Sequence, residues 1–148
     1  MEYRDEDLAR ILREARVIAV IGASRSLGKD AGRVPAFLKE KGYRIIPINP
    51  VASEILGERA YPSLLDLPEE LAGSVDIVDV FRPPREAEAV VEQVLELARR
   101  TGRRPVLWFQ PGTHTPEAVE RAQGAGLRVV YGRCIMAEYS RLEAMGLL

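Results

Sequence analysis

The amino-acid sequence predicts an α/β fold in which about five parallel strands form a sheet with helices on both faces. Two observations support this prediction. Short, continuous apolar segments alternate along the chain with segments of helical periodicity, and the apolar segments lack the polar alternation of half-exposed strands. Such strands are buried on both faces, which is typical of parallel sheets. Because crossovers between parallel strands are right-handed, the arrangement is a doubly wound, Rossmann-like domain.

The predicted strands are short apolar runs, and each is followed by a helix or a turn. Pro50 stops the second strand. In chain order the strands are VIAVIG (17–22), YRIIPINP (43–50), VDIVDVF (75–81), PVLWFQ (105–110) and LRVVYG (127–132).

Helices are predicted where apolar residues recur at helical spacing. The clearest is PREAEAVVEQVLELARRTG (84–102), which carries one apolar stripe, begins with Pro84 and ends at Gly102. Thr115 and Pro116 suit the N-cap and the first position of a later helix. The segment 63–71 is predicted as a short helix or turn, and the remaining helices as 8–15, 34–42, 115–126 and 137–148.

Composition predicts a single domain over residues 1–148 and excludes several classes of function. The chain is 47% hydrophobic and has a formal net charge of −1, so no basic excess indicates nucleic-acid binding. One cysteine and one histidine exclude a disulfide framework and a Cys/His zinc site within one chain. No apolar run approaches the roughly 20 residues of a membrane span, and the acidic N-terminus does not resemble a secretory signal. A cytoplasmic location is expected.

The segment GASRSLGK (22–29) follows the first strand and excludes two common nucleotide-binding motifs. A triphosphate-binding P-loop has four residues between its glycines and then Lys-Ser or Lys-Thr. Here five residues separate Gly22 from Gly28, and Lys29 is not followed by Ser or Thr. The dinucleotide fingerprint needs glycine where Ser24 and Leu27 stand.

A looser anion cradle remains as the interpretation of this segment. Gly22 lets the backbone turn closely, while Ser24 and Ser26 offer hydroxyl groups. The next helix offers free N–H groups, and Arg25 and Lys29 add positive charge. The alternative is an ordinary loop whose polar residues face solvent.

The ends of the second and third strands add candidate contacts. Asn49 stands where an NAD-binding protein usually carries Asp or Glu, and a neutral residue there tolerates a phosphorylated ribose. The alternative is that Asn49 and Pro50 form a plain turn. Phe81, Arg82 and Pro83 form a rigid edge suited to packing against an adenine or a ligand arm, and Arg82 could contact a phosphate.

The fourth strand ends in further polar residues. Gln110 can hydrogen-bond an amide, and Gly112 allows close approach. Trp108 is expected in the core. Asp79, in the third strand, could be buried and functional, but an edge-facing or hydrogen-bonded structural role is the favoured expectation.

Taken together, these motifs resemble the small stand-alone CoA-binding proteins, which have the Rossmann-like fold of the CoA-binding domain of the succinyl-CoA synthetase α subunit. The resemblance covers about residues 8–140. In the small family an acidic residue is expected before the Arg-Cys pair, where this chain has Gly132. The motifs that carry the resemblance are VIAVIGAS, YRIIPINP, VDIVDVFRPP, VLWFQPG and GRCIM.

The resemblance implies coenzyme A as the ligand and gives each candidate residue a role. It places Gly22, Ala23, Ser24, Arg25 and Ser26 at the phosphates, Asn49 and Pro50 at the adenosine end, Phe81, Arg82 and Pro83 at the adenine or pantetheine, and Gln110 and Gly112 along the pantetheine arm.

No pairing of a nucleophile with a base is evident, so the sequence favours a protein that binds CoA or acyl-CoA without catalytic residues or a metal. His114 is expected to be a loop residue and Cys134 a buried, inert thiol. Two alternatives stay open: a CoA-binding subunit of an acyl-CoA synthetase, and an NAD(P)-binding sensor or reductase. The first and last helices are expected either to pack on the domain or to form a homodimer.

Overall fold

The computed structural model describes residues 3–148 and contains seven strands. Five of them form the main sheet, and the other two, β3 and β4, pair as a short antiparallel hairpin. The strands are β1 (Val17–Ile21), β2 (Arg44–Ile48), β3 (Glu54–Ile55), β4 (Glu58–Arg59), β5 (Ile77–Val80), β6 (Val106–Phe109) and β7 (Val129–Tyr131).

Six α-helices connect or flank these strands within the described residues. Single 3₁₀ turns at Leu64–Asp66 and Pro84–Glu86 precede the third and fourth helices. No helix in residues 3–148 is long and apolar enough to cross a bilayer. The helices are α1 (Asp5–Glu14), α2 (Asp30–Glu40), α3 (Glu69–Ala72), α4 (Ala87–Thr101), α5 (Pro116–Gly124) and α6 (Ile135–Ala144).

The main sheet confirms the predicted fold class. Its strands are parallel and stand in the order β2-β1-β5-β6-β7. The chain therefore moves outward from β1 to β2 and then returns to the other side of β1 with β5. Ligands of doubly wound sheets bind beyond the carboxyl ends of the strands at such a switch point. Here the switch point lies between β1 and β5.

Two apolar layers cover the sheet, as a doubly wound domain requires. On one face Ile18, Val20 and Trp108 pack under α1, α2 and α6. On the other face Val78 and Phe109 pack under the helices that follow β4 and β5. Trp108 is fully buried, which confirms the prediction that it belongs to the core.

The first and last helices both pack on the domain, joined by a chain of charges. The buried carboxylate of Glu138 in α6 accepts hydrogen bonds from Arg133 and Arg141, and Arg141 also donates to Asp5 of α1 over 2.8 Å. Burial by itself would raise the pKa of Glu138, but the two guanidinium groups bring it below its usual range. Arg133 of the GRCIM motif therefore has a structural partner.

Several predicted boundaries need correction. Helix α2 begins at Asp30 rather than residue 34, α6 begins at Ile135 rather than residue 137, and α1 begins three residues before its predicted start. The predicted helix 84–102 opens with a 3₁₀ turn before α4. The hairpin β3–β4 was not predicted, because its turn places Leu56 and Gly57 at positive φ (57° and 74°). Leucine rarely adopts that conformation, so the sequence gives no turn signal.

Candidate functional site

The loop after β1 lies at the switch point and is shaped by Gly22. Its backbone has φ +88°, which favours glycine. A Cβ atom at this position would lie 2.9 Å from Cδ of Arg82 and 3.1 Å from the carbonyl oxygen of Phe81. Gly22 therefore lets the ends of β1 and β5 approach each other closely, as the sequence predicted for a tight turn.

The loop and the start of α2 present unused backbone donors. The N–H groups of Arg25, Leu27, Gly28, Asp30 and Ala31 donate no hydrogen bond within residues 3–148. The last two belong to the first turn of α2, where N–H groups have no partner inside the helix. These donors and the positive end of the helix dipole together favour an anion at this position.

Two residues of α2 that sequence reasoning missed allow the loop to dock on the helix. Pro35 lies inside α2 and lacks the N–H that would bond to the carbonyl of Ala31. That carbonyl accepts instead from the N–H of Ser24, 3.0 Å away. A Cβ atom on Gly32 would lie 2.1 Å from the carbonyl oxygen of Ser26, so only glycine fits. The presence of both Gly32 and Pro35 in one short segment was the sequence signal that could have indicated this contact between the loop and the helix.

Asn49 connects the loops after β1 and β2. Its Nδ2 donates to the carbonyl of Ala23 over 2.9 Å. Its Oδ1 accepts from the N–H groups of Val51 and Ala52, at 2.8 Å and 2.9 Å. The plain-turn interpretation is therefore correct for the Asn49 oxygen, and the residue also fixes the loop that begins at Gly22. Contact with an adenosine ribose stays a prediction.

Arg82, after β5, forms a two-point ion pair with Glu86. Nε donates to one carboxylate oxygen over 3.1 Å, and Nη2 donates to the other over 2.8 Å. These hydrogen bonds hold the pKa of Glu86 below its usual range, and the carboxylate raises the pKa of Arg82. In this structure Glu86 therefore compensates the positive charge of Arg82.

A cavity of about 210 Å³ opens beside this ion pair at the carboxyl ends of β1 and β2. Gly22, Pro50 and Arg82 line it together with Glu86. Another cavity, of about 230 Å³, lies at the amino-terminal edge of the sheet and includes Arg103 in its wall. Volume alone therefore does not single out a binding site, and of these two cavities the first lies at the switch point, where doubly wound sheets bind ligands.

The structure brings the predicted residues together in two groups and leaves others apart. Ala23, Ser24, Arg25, Ser26 and Lys29 belong to the docked loop, while Gly22, Pro50 and Arg82 line the cavity. Phe81 is half-buried against the core under α2 and α6, and Pro83 precedes the 3₁₀ turn.

Gln110 and Gly112, after β6, do not line this cavity. Gln110, Pro111, Gly112 and Thr113 form a tight turn in which Gly112 has φ +78°, as a glycine in a type II turn does. The buried Oε1 of Gln110 accepts from the N–H of Ile135 over 3.0 Å and caps α6. These roles are structural, and contact of either residue with a pantetheine arm stays a prediction.

Asp79 is buried, which was the less favoured of its two expectations, and the favoured edge-facing or hydrogen-bonded role is wrong. The strand register pairs it with Val20 of β1 and Trp108 of β6, two residues before Phe81 along the chain. It is fully buried, and neither carboxylate oxygen has a hydrogen-bond partner among residues 3–148. Burial raises its pKa well above the usual range, and the adjacent Val80 amide offsets only part of that rise.

The remaining reactive side chains lie apart from the cavity. His114 is half-buried, its ring lies 4.8 Å from that of Tyr131, and its buried Nδ1 has no hydrogen-bond partner in residues 3–148. Cys134 precedes α6 and is half-buried, not buried as expected. Across the same residues, no group of three or more His, Cys, Asp or Glu side chains is placed to hold a metal ion.

Comparison with known proteins identifies the family. A sequence profile described as the CoA binding domain matches residues 16–140. The chain belongs to this CoA-binding domain family. The match includes every predicted ligand contact from Gly22 to Gly112, and it confirms the resemblance stated from the strand-end motifs.

Relatives of this CoA-binding domain occur alone and within larger enzymes. The Bacillus subtilis protein YneT is 33% identical over 134 residues, which are 90% of this chain and 93% of YneT. The ADP-forming acetate–CoA ligase II of Archaeoglobus fulgidus is 39% identical over 101 residues, which are 67% of this chain but 14% of the ligase. The domain therefore corresponds to a small part of that enzyme.

Solved structures agree with this assignment. The structure of cell-free ID.343 from Thermus thermophilus is 41% identical with a TM-score of 0.84, covering 95% of this chain and 99% of that one. An acetyl-coenzyme A synthetase from Candidatus Korarchaeum cryptofilum, in complex with phosphate and ADP, is 26% identical with a TM-score of 0.63, covering 84% of this chain and 27% of that one. The CoA-binding domain and these proteins share the Rossmann-like fold.

Gly32→Ala is expected to destabilise this domain and to displace the loop that follows β1 (residues 22–29). The new Cβ would meet backbone atoms of Ser24 and Ser26 that cannot move without breaking the loop's contact with α2. Overpacking of this kind costs about 1–3 kcal/mol. Chemical denaturation measures the loss, and hydrogen exchange of the amides of residues 24–31 reports the displacement.

Gly28→Ala is the matched control for this substitution. Its Cβ would meet only the Ser26 hydroxyl at 3.7 Å, and Gly28 has no positive φ. We expect little change in stability. Equal destabilisation by the two substitutions would contradict the close contact at Gly32.

Asp79→Asn is expected to raise the free energy of unfolding at neutral pH. Below the unfolded pKa of about 3.9, both states hold the Asp79 proton. At higher pH only the unfolded state releases it, so the wild type loses about 1.4 kcal/mol per pH unit until the folded pKa is reached. Asparagine has no such loss. The advantage of the variant should therefore grow as the pH rises from 4 toward the folded pKa of Asp79 and level off above it, as measured by denaturation at each pH.

Asp76→Asn tests the opposite pH dependence of stability, because the fold lowers the pKa of Asp76, just before β5, instead of raising it. Burial opposes ionisation of Asp76, but the N–H groups of Arg16 and Val17 and the side chain of Arg103 hold its pKa below the usual range. The Asp76→Asn variant should lose stability at neutral pH, and the difference from the wild type should vanish as the pH falls through the folded pKa of Asp76.

For Asp79→Asn, an effect on stability that does not change with pH would show that Asp79 keeps no proton in the fold.

Proposed function

We propose that this domain binds coenzyme A or an acyl-CoA and does not itself catalyse a reaction. The observation that carries the proposal is the set of unused N–H donors in the loop and first turn of α2, at the switch point of the sheet. Such donors hold phosphate oxygens at short range. The pyrophosphate of CoA is the phosphate group that the family assignment supports for this position.

Charge around the loop supports a phosphate ligand. The Lys29 side chain is exposed and makes no ion pair within residues 3–148, so its full charge is available to a ligand. Arg25 is exposed as well, although its Nε donates to the carbonyl of Glu54 over 3.1 Å. The neutral Asn49 after β2 places no carboxylate near a phosphorylated ribose.

The similarity to acetate–CoA ligases favours one other function, that of the CoA-binding part of an acyl-CoA synthetase. In that case a partner chain would supply the catalytic residues. The chain's own histidine and cysteine do not line the cavity beside Arg82, so they give no support to an active site there. CoA binding is common to both functions.

Calorimetric titration with CoA, 3′-dephospho-CoA, NAD and NADP tests the proposal. We expect CoA to bind most tightly and to lose affinity without its 3′-phosphate, because each lost phosphate removes charge-assisted hydrogen bonds. NAD should bind weakly, since the loop lacks two glycines of the dinucleotide fingerprint. A preference for NAD or NADP over CoA would overturn the assignment of the ligand.

Lys29→Gln locates the ligand in the same titration. Removal of this charge should weaken CoA binding about three- to tenfold, a loss typical of one charge-assisted contact. Arg44→Gln is the matched control, because Arg44 is also exposed but lies at the opposite, amino-terminal end of β2. If both variants weaken binding equally, the effect is one of total charge and the loop is not the phosphate site.

A further inference from the structure

The Arg82–Glu86 ion pair occupies a position that favours an anion from outside. The guanidinium of Arg82 supplies positive charge, and Glu86 stands at the N-cap of α4, at the positive end of the helix dipole. Both side chains line the cavity and are about two-fifths exposed, with relative areas of 41% and 36%. The Glu86 carboxylate is therefore an internal anion in a place where a ligand phosphate would also be stabilised.

The stem of Arg82 packs against Gly22, while its charged end pairs with Glu86. The Cδ atom packs over Gly22, where it would lie 2.9 Å from a Cβ atom. That contact places the Arg82 side chain against Gly22, at the start of the loop that follows β1. Exposed ion pairs contribute little to stability, so a doubly charged phosphate can replace one carboxylate without disturbing the fold.

We propose that Glu86 is an autoinhibitory residue of the phosphate site: it holds Arg82 in the free protein and must release it before Arg82 can bind a ligand phosphate. The inference rests on the proposed function, because it names an internal competitor at that site. Glu86 thereby lowers the affinity for the phosphorylated ligand and speeds its release.

Titration of CoA into the wild type and the Glu86→Gln variant tests this inference. Glutamine keeps the shape of the side chain but removes the competing charge, so CoA should bind about three- to fivefold more tightly. Glu88→Gln is the matched control, because Glu88 is exposed in the first turn of α4 and does not line the cavity. It should bind CoA as the wild type does.

The Arg82→Gln background separates competition for Arg82 from plain repulsion. If Glu86 acts by holding Arg82, its replacement should gain less affinity when Arg82 is absent. An undiminished gain in the double variant would overturn the inference. So would weaker binding by Glu86→Gln, because Glu86 would then orient Arg82 for the ligand.

Titration with pyrophosphate keeps this test separate from the fate of the proposed function. If CoA fails to bind any variant, the proposed function is wrong, and the NMR signal of the Arg82 Nε–H group still reports on Glu86. That signal should shift at a lower pyrophosphate concentration in Glu86→Gln than in the wild type. Equal concentrations would overturn the autoinhibitory role, and thermal unfolding checks that each variant is folded.

Discussion

The geometry of the site depends on one backbone hydrogen bond, from the N–H of Ser24 to the carbonyl of Ala31. It exists because Pro35 has no N–H to offer that carbonyl from within α2. Together with the close approach at Gly32, it draws the loop sideways onto the helix. The N–H groups of Arg25, Leu27 and Gly28 in the loop have no acceptor within residues 3–148, which leaves them available to an anion. A residue that normally disrupts helices thus creates the acceptor that anchors the loop.

The sequence predicted the sheet well because buried parallel strands are continuous apolar runs, whereas the details of α2 depend on contacts between distant atoms. The helix was predicted over residues 34–42 from its apolar face, whereas α2 begins at Asp30 and includes Gly32, whose contact with Ser26 no local pattern reveals. The role of Gln110 as a cap of α6 could not be predicted from the sequence either, because this hydrogen bond joins residues 25 positions apart. Strand ends could be identified from sequence, and the partners of their side chains could not.

Asp79 shows that the core beneath the site is not optimised for stability. Its neighbours in the row, Val20 and Trp108, are fully buried, and an apolar residue between them would avoid the cost of burying a carboxyl group. A group that breaks a local rule without a compensating partner is typical of functional regions. Phe81 follows Asp79 by two residues at the end of β5, so this cost falls where the core meets the proposed ligand site.

The balance of charge agrees with the proposal that backbone donors hold the ligand. Asp30 pairs with Arg33 at the start of α2, and Glu86 pairs with Arg82 at the cavity. Two of the local cations are therefore compensated within the protein, and the whole chain has a net charge of only −1. Long-range attraction of anions is weak under these conditions, so selectivity for a ligand depends on short-range hydrogen bonds. Amide donors in a fixed loop discriminate by the shape of the ligand, which suits the recognition of one nucleotide better than of any polyanion.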